Sequence, residues 1–115
     1  MTARLVKDRS ILRLLGRLKS RLGDKAFDAV DGWDGDLFAI GVARPDKHGI
    51  LVYVSTYEQP DATYFVSLEL PPLRLSDLPY RQGPEFEVRS FEELVAVIKR
   101  HFSEADPKSN TTSQS

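Results

Sequence analysis

The chain has 115 residues, 41% of them hydrophobic, and a formal net charge of −1 with a pI near 6.1. This length fits one domain with one core, and the near-neutral balance excludes a bulk electrostatic attraction to nucleic acid or to an anionic membrane. The absence of cysteine excludes disulfides, thiolate nucleophiles and cysteine-ligated metals.

The first predicted element is a helix from Ile11 to Leu22. Its leucine and isoleucine side chains recur at steps of three and four residues, which places them on one face. Gly23 is expected to end this helix, because glycine adopts a left-handed backbone at little cost. We expect a short second helical turn to follow, capped by Asp24 and carrying Phe27 and Val30.

Three strands are expected at Asp36 to Ala43, Ile50 to Tyr57 and Ala62 to Leu70, since these segments are rich in β-branched and aromatic residues. The links between them are short, and parallel pairing would need a long crossover. An antiparallel meander is therefore predicted. Both faces of the second strand are partly apolar, so we expect one face to meet the helices and the other to meet a loop or a partner.

The last third of the chain begins with an irregular, proline-rich connection from Pro71 to Pro84, followed by a short edge strand from Glu85 to Val88. Ser90 and Glu93 then form a predicted capping box at the start of a helix from Phe91 to Phe102.

The predicted fold is a single α+β domain over residues 1–102. It contains an antiparallel β-meander of about four strands, packed with an N-terminal and a C-terminal helix. Residues 103–115 are predicted to be a disordered C-terminal tail. The first ten residues resemble no signal peptide, and no apolar run is long enough to span a membrane, so a cytoplasmic location is expected.

No catalytic, metal or cofactor site is predicted. The chain has two histidines, His48 in a predicted hairpin turn and His101 in the last turn of a helix, and neither has a recognisable metal or catalytic spacing. A calcium loop starting at Asp31 or Asp34 fails, because the twelfth position is then Val42 or Pro45 instead of glutamate. We therefore expect a protein that is not an enzyme.

The middle of the chain concentrates negative charge, with seven Asp/Glu against two Lys/Arg in residues 26–62. The only tryptophan lies inside this run, and tryptophan is a favoured interface anchor, although a core position would suit it equally. The run is interpreted either as a solvated turn or as a surface that meets a partner. The candidate partner-binding residues are Asp31, Trp33, Asp34, Asp36, Tyr53, Tyr57, Glu58 and Asp61.

Positive charge is concentrated in residues 1–25, which hold eight Lys/Arg and two Asp. Four arginines spaced four residues apart form one stripe on the first helix: Arg9, Arg13, Arg17 and Arg21. This stripe is either a solvated face or a contact for nucleic-acid phosphates. The solvated face is favoured, because no nucleic-acid-binding motif accompanies the stripe.

Three strand segments and a closing helix carry a family resemblance, over about residues 33–102. They are Trp33-Asp34-Gly35-Asp36-Leu37, the strand and turn Ile50 to Pro60, the strand Tyr64 to Glu69, and the helix with Ser90-Phe91-Glu92-Glu93-Leu94 and Ile98 to Phe102. Together they resemble small immunity proteins of bacterial polymorphic toxin systems, especially contact-dependent growth inhibition.

The resemblance implies a cytoplasmic protein that binds the C-terminal toxin domain of a cognate effector and neutralises it by occlusion. Such toxins are commonly nucleases with basic active sites. The resemblance assigns no binding residues. The alternative expectation is a nucleic-acid-associated or regulatory binding module that uses the basic first helix.

Overall fold

The structure is a computed structural model that describes residues 7–31, 36–60, 62–71 and 81–104. In chain order the elements are α1 (Arg9–Leu22), β1 (Asp28–Val30), β2 (Ala39–Arg44), β3 (Lys47–Ser55), β4 (Tyr64–Leu70), β5 (Arg81–Val88) and α2 (Phe91–Glu104). The strands form one antiparallel sheet in sequence order. The predicted α+β meander with two flanking helices is confirmed, with five strands instead of about four.

The additional strand is β1, which replaces the helical turn expected after Gly23. Phe27 is buried in the core just before β1, and Val30 pairs with Gly41 of β2. The prediction was wrong because two apolar residues three apart fit a helical turn, and a segment this short shows no clear period. Pairing with β2 supplies backbone hydrogen bonds that a single isolated turn cannot provide cooperatively.

The other strands differ from the predictions at their ends. β3 begins at Lys47, so His48 lies in a strand and not in the hairpin turn, which contains only Pro45 and Asp46. β5 begins at Arg81, so the last part of the predicted irregular connection belongs to the sheet. Pro84 is tolerated there because β5 is an edge strand, where a missing N–H donor need not interrupt a ladder.

Both helices pack on one face of the sheet. Leu18 of α1 and Leu94 of α2 are fully buried, and each lies among side chains from alternate positions of the strands. The core residues from the sheet are Ile40, Val42, Val52, Val54, Tyr64, Val66 and Val88. The helical periodicity of the first and last segments therefore predicted the core-facing side chains correctly.

α1 begins and ends with specific caps. Asp8 is the N-cap, and its carboxylate accepts hydrogen bonds from the backbone N–H and the hydroxyl of Ser10, at 2.9 and 2.6 Å. Gly23 ends the helix as predicted. Its φ of 109° lies in the region that favours glycine, and its N–H donates to the carbonyl of Lys19.

The predicted capping box at the start of α2 is present in a shifted form. The Ser90 hydroxyl accepts the N–H of Glu93 at 3.0 Å, while the Glu93 carboxylate accepts the N–H of Arg89 instead of that of Ser90. The helix continues through Glu104, so Ser103 and Glu104 belong to α2 and not to the predicted tail. Residues 105–115 lie outside the described residues.

Candidate partner-binding surface

Two of the predicted partner-binding carboxylates, Asp31 and Asp36, are tied together by Lys7. The Lys7 Nζ lies 2.7 Å from Asp31 Oδ1 and donates a 2.8 Å hydrogen bond to the main-chain oxygen of Asp36. The Lys7 side chain is fully buried, whereas 23% of the Asp31 side chain is exposed. Asp31 Oδ1 has no aligned hydrogen bond among the described residues, so the ion pair itself compensates for its burial.

The side chain of Asp36 is also bonded within the chain. Its Oδ1 accepts the N–H of Phe38 at 3.0 Å, which fixes the turn before β2, and its Oδ2 accepts the hydroxyl of Tyr53 at 3.3 Å. Burial raises the pKa of Tyr53, and the charge of Asp36 raises it further. The Tyr53 phenol therefore remains a neutral hydrogen-bond donor at pH 7. Its hydrogen bond to Asp36 joins the two side chains in one cluster.

Tyr57 and Glu58 lie in the turn that follows β3. Tyr57 is 56% exposed, and its ring packs at a tilt against Phe38 with 5.7 Å between the ring centroids. Glu58 is exposed and has a φ of 54°, in the left-handed region. The strand predicted to end at Tyr57 ends at Ser55 instead, because the chain turns here.

The remaining predicted residues, Trp33, Asp34 and Asp61, lie outside the part of the chain that the structure describes. Their participation in a binding surface stays a prediction. The five described residues fall into two groups, the cluster around Lys7 and the turn between β3 and β4.

The sheet face opposite the helices carries a second set of polar and aromatic side chains. Tyr53 of β3 pairs with Ser67 of β4, which pairs with Glu85 of β5, and Phe65 pairs with Glu87 in the neighbouring row. α1 and α2 both lie on the other face, but Leu51, Ser55 and Ser67 are buried on this one, so its middle is covered within the chain. We call the following five residues the acidic sheet face: Tyr53, Phe65, Glu69, Glu85 and Glu87.

The acidic sheet face combines exposed charge with half-buried aromatic surface. Glu85 and Glu87 are exposed, while Tyr53 and Phe65 are half-buried and meet edge to face at 6.2 Å. The Glu69 side chain has no hydrogen bond or ion pair among the described residues, and burial raises the pKa of its carboxyl group. The face therefore presents carboxylates, one of them partly dehydrated, beside an aromatic pair.

Four of these five residues were not predicted as site residues, although they lie in segments predicted as strands: Phe65, Glu69, Glu85 and Glu87. The signal was present in the alternation of Glu85 and Glu87 with Phe86 and Val88, which places both glutamates on one face. Their proximity to Tyr53 depends on strand order and register, which alternation within one strand does not provide.

The two histidines serve structural contacts. His101 is buried, and its Nε2 donates to the main-chain oxygen of Glu69 at 2.8 Å, which ties α2 to β4. His48 Nε2 lies 2.7 Å from Asp28 Oδ2 at an exposed position. No hydroxyl is hydrogen-bonded to the His48 ring among the described residues, as nucleophilic catalysis would require. The described residues also contain no cluster of three metal-ligating side chains.

The arginine stripe lies on α1 as predicted, and all four arginines are exposed. Two of them make contacts within the chain. The Arg17 guanidinium lies 3.9 Å from the centre of the Phe91 ring, and Arg21 pairs with Glu92 at 2.8 Å. Both contacts join α1 to the first turn of α2, so half of the stripe has a structural use.

Neither described helix is long and apolar enough to cross a membrane. Comparisons of the chain with protein-family models, with curated proteins and with solved structures found no match.

Proposed function

We propose that this protein is an immunity protein, which binds a cognate toxin domain through the acidic sheet face and occludes the toxin's active site. It acts by stoichiometric binding in the cytoplasm and not by catalysis, and the toxin is a nuclease. The observation that carries the proposal is the pair of exposed carboxylates, Glu85 and Glu87, on the sheet face that also holds the half-buried Tyr53–Phe65 pair. The sequence resemblance described above adds to it.

Charge complementarity selects a basic partner. A nuclease holds phosphate with lysine and arginine side chains, and carboxylates can form charge-assisted hydrogen bonds with the same groups. Glu85 and Glu87 are exposed and can attract such a surface from a distance. Glu69 is already partly dehydrated in the free protein, so pairing it with a cation requires less further desolvation.

The aromatic pair, Tyr53 and Phe65, is proposed to supply the apolar anchor of the contact. Tyr53 and Phe65 are held by each other and, for Tyr53, by the hydrogen bond to Asp36, so little side-chain entropy is lost when they are covered. Aromatic residues surrounded by polar groups are the usual anchors of protein interfaces. We expect the charged residues to control mainly the association rate and the aromatic pair to control dissociation.

The test is protection of cells that express a toxin domain, and the gene immediately upstream is the first candidate source of that domain. We expect the wild-type protein to protect the cells and to form a stoichiometric complex with the purified toxin domain. Glu85→Lys/Glu87→Lys is expected to lose protection while it remains folded, and Tyr53→Ala is expected to weaken the complex. Asp24→Lys, an exposed residue in the turn after α1, is the charge-reversal control. Wild-type protein that neither binds the toxin nor protects would contradict the proposal.

A nucleic-acid-associated module that uses α1 is the second candidate. It is favoured by Arg9 and Arg13, which are exposed and have no hydrogen bond or ion pair among the described residues. Salt-dependent binding to DNA or RNA that is lost in Arg9→Gln/Arg13→Gln would support this candidate. Binding to the toxin domain that the same double variant retains would support the immunity function.

A further inference from the structure

We propose that a cleft between α1 and the turn joining β3 to β4 binds a small oxyanion, a carboxylate or a phosphate, carried on an apolar body. The cleft has a volume of about 400 Å³, within the range of small-molecule sites. It lies on the helix side of the sheet, since Leu14 and Tyr64 of the core line it. It is therefore separate from the acidic sheet face, and the inference does not depend on the proposed function.

Two guanidinium groups give the cleft its cationic side. Arg13 and Arg17 lie one turn apart on α1, and both line the cleft. Arg17 is positioned by its contact with the Phe91 ring, which leaves its N–H groups without hydrogen-bond acceptors among the described residues. Arg13 has no hydrogen bond or ion pair within the described ranges either. Arginines with unused donors suit the bidentate recognition of carboxylate or phosphate.

A chain of hydroxyl groups gives the side of the cleft at the start of α1 a defined polarity. Ser10 Oγ lies 2.6 Å from Asp8 Oδ2 and 2.7 Å from Thr56 Oγ1. The pKa of Asp8 is lowered, chiefly by the hydrogen bond from the Ser10 hydroxyl, so Asp8 is ionised at pH 7 and can only accept. Ser10 must then donate to Asp8, and Thr56 must donate to Ser10.

This direction of donation determines how a ligand can lie. Thr56 and Asp8 both line the cleft on this side, and with the Thr56 proton used on Ser10 both offer acceptors and no donor there. An oxyanion is repelled from that side and attracted to Arg13 and Arg17. The ligand is thus oriented with its anionic group at the arginines and its uncharged part toward Thr56.

The apolar body of the ligand is indicated by the remaining lining residues. Leu14, Phe38 and Tyr64 contribute hydrocarbon and aromatic surface between the arginines and the turn. Leu14 and Tyr64 are nearly fully buried, so the apolar surface that a ligand can cover belongs mainly to the half-buried Phe38 ring. An anion without an apolar group would leave it in contact with water, and an aromatic acid or an aromatic phosphate would cover it.

The test is NMR titration of the full chain with phenyl phosphate, with benzoate and with inorganic phosphate. We expect saturable shifts confined to residues 8–17 and 56–64, and tighter binding of at least one aromatic anion than of inorganic phosphate. Arg13→Gln is expected to weaken that binding about tenfold or more, because it removes charge-assisted hydrogen bonds. Arg9→Gln removes the same charge one turn earlier on α1, outside the cleft, and is expected to bind like the wild type.

The two aromatic probes separate the two sources of an oxyanion. Stronger binding of phenyl phosphate indicates a phosphorylated ligand, and stronger binding of benzoate indicates a carboxylic acid. The proposal is overturned if neither aromatic anion gives saturable shifts, or if inorganic phosphate binds as tightly as both. It is also overturned if Arg9→Gln and Arg13→Gln, both folded by their melting curves, lose affinity equally.

Discussion

The fully buried ammonium of Lys7 lies 2.7 Å from the carboxylate of Asp31, and this ion pair joins the segment before α1 to the end of β1. The same ammonium also bonds to the main chain at Asp36. A carboxylate that sequence composition marks as a candidate for partner contact is therefore engaged in an ion pair within the fold. Charge reversal at Asp31 would place two cations together inside the protein, so Asp31 is a poor position for testing partner binding alone.

Breaking this ion pair is expected to destabilise the fold. Asp31→Asn should reduce the free energy of unfolding by about 2–3 kcal/mol, because it removes a negative charge 2.7 Å from a buried ammonium. This loss is smaller than that expected for a completely buried ion pair, because the Asp31 side chain is 23% exposed. Urea unfolding at pH 7 measures the loss.

A double-mutant cycle separates the ion pair from other effects of the same substitutions. Lys7→Met with Asp31→Asn should cost less than the sum of the two single variants, with a coupling of about 1 kcal/mol or more. Additive losses would show that Lys7 and Asp31 stabilise the fold independently.

The core role of α1 is tested by two leucines on opposite sides of the same helix. Leu18 is fully buried and Leu12 is 46% exposed. Leu18→Asp should unfold the domain, because it removes about 1.5–3 kcal/mol of apolar burial and buries a charge in its place. Leu12→Asp should melt within a few degrees of the wild type. Circular dichroism melts compare the two, and equal melting temperatures would show that α1 does not pack on the sheet.

The start of α2 is expected to depend on Ser90. Ser90→Ala removes the acceptor for the N–H of Glu93 and should reduce the free energy of unfolding by about 1 kcal/mol. Ser90→Asp retains an acceptor and should lose less. Urea unfolding of the three proteins checks the order, and identical midpoints would mean that the hydroxyl contributes nothing to the helix.

The raised pKa of Glu69 gives a prediction about pH. A carboxyl group whose folded pKa exceeds its unfolded value stabilises the protein while protonated, and this contribution is lost as the pH rises through the folded pKa. Ionised Glu69 therefore opposes folding at pH 7, and Glu69→Gln should raise the melting temperature there. This difference in melting temperature between Glu69→Gln and the wild type should disappear near pH 3, where wild-type Glu69 is protonated.

Glu87→Gln is the control for this pH effect, because Glu87 is exposed on the same acidic sheet face. We expect its melting temperature to follow that of the wild type at both pH values. A gain at pH 7 of the same size in both variants would reflect general charge on the face and not the burial of Glu69.

The helices and four of the five strands were predictable because each is specified by a local period. Leu14, Leu18 and Ile98 repeat with the helix, and Val52 and Val54 alternate with the strand, so burial of one face selects the element. The meander also followed from local information, since the short links between strands leave no room for a crossover. These features require no knowledge of distant contacts.

The features that the sequence did not predict depend on contacts between distant residues. The strand β1 exists because it pairs with β2, and Lys7 finds Asp31 across 24 positions of the chain. The acidic sheet face likewise combines residues of β3, β4 and β5, and only the register places Tyr53 beside Ser67 and Glu85. Charge counting along the chain found the acidic segment but could not distinguish an internal ion pair from an exposed carboxylate.

The central proposal is that the acidic sheet face binds a basic toxin domain, and association kinetics with a cognate toxin domain test it most directly. The association rate constant should be measured at two salt concentrations for the wild type, Glu87→Lys, Glu85→Lys/Glu87→Lys and the control Asp24→Lys. We expect association of the double variant at low salt to be about tenfold slower or more and less sensitive to salt, while Asp24→Lys matches the wild type. A folded double variant that associates at the wild-type rate, with the same salt dependence, would contradict the proposal.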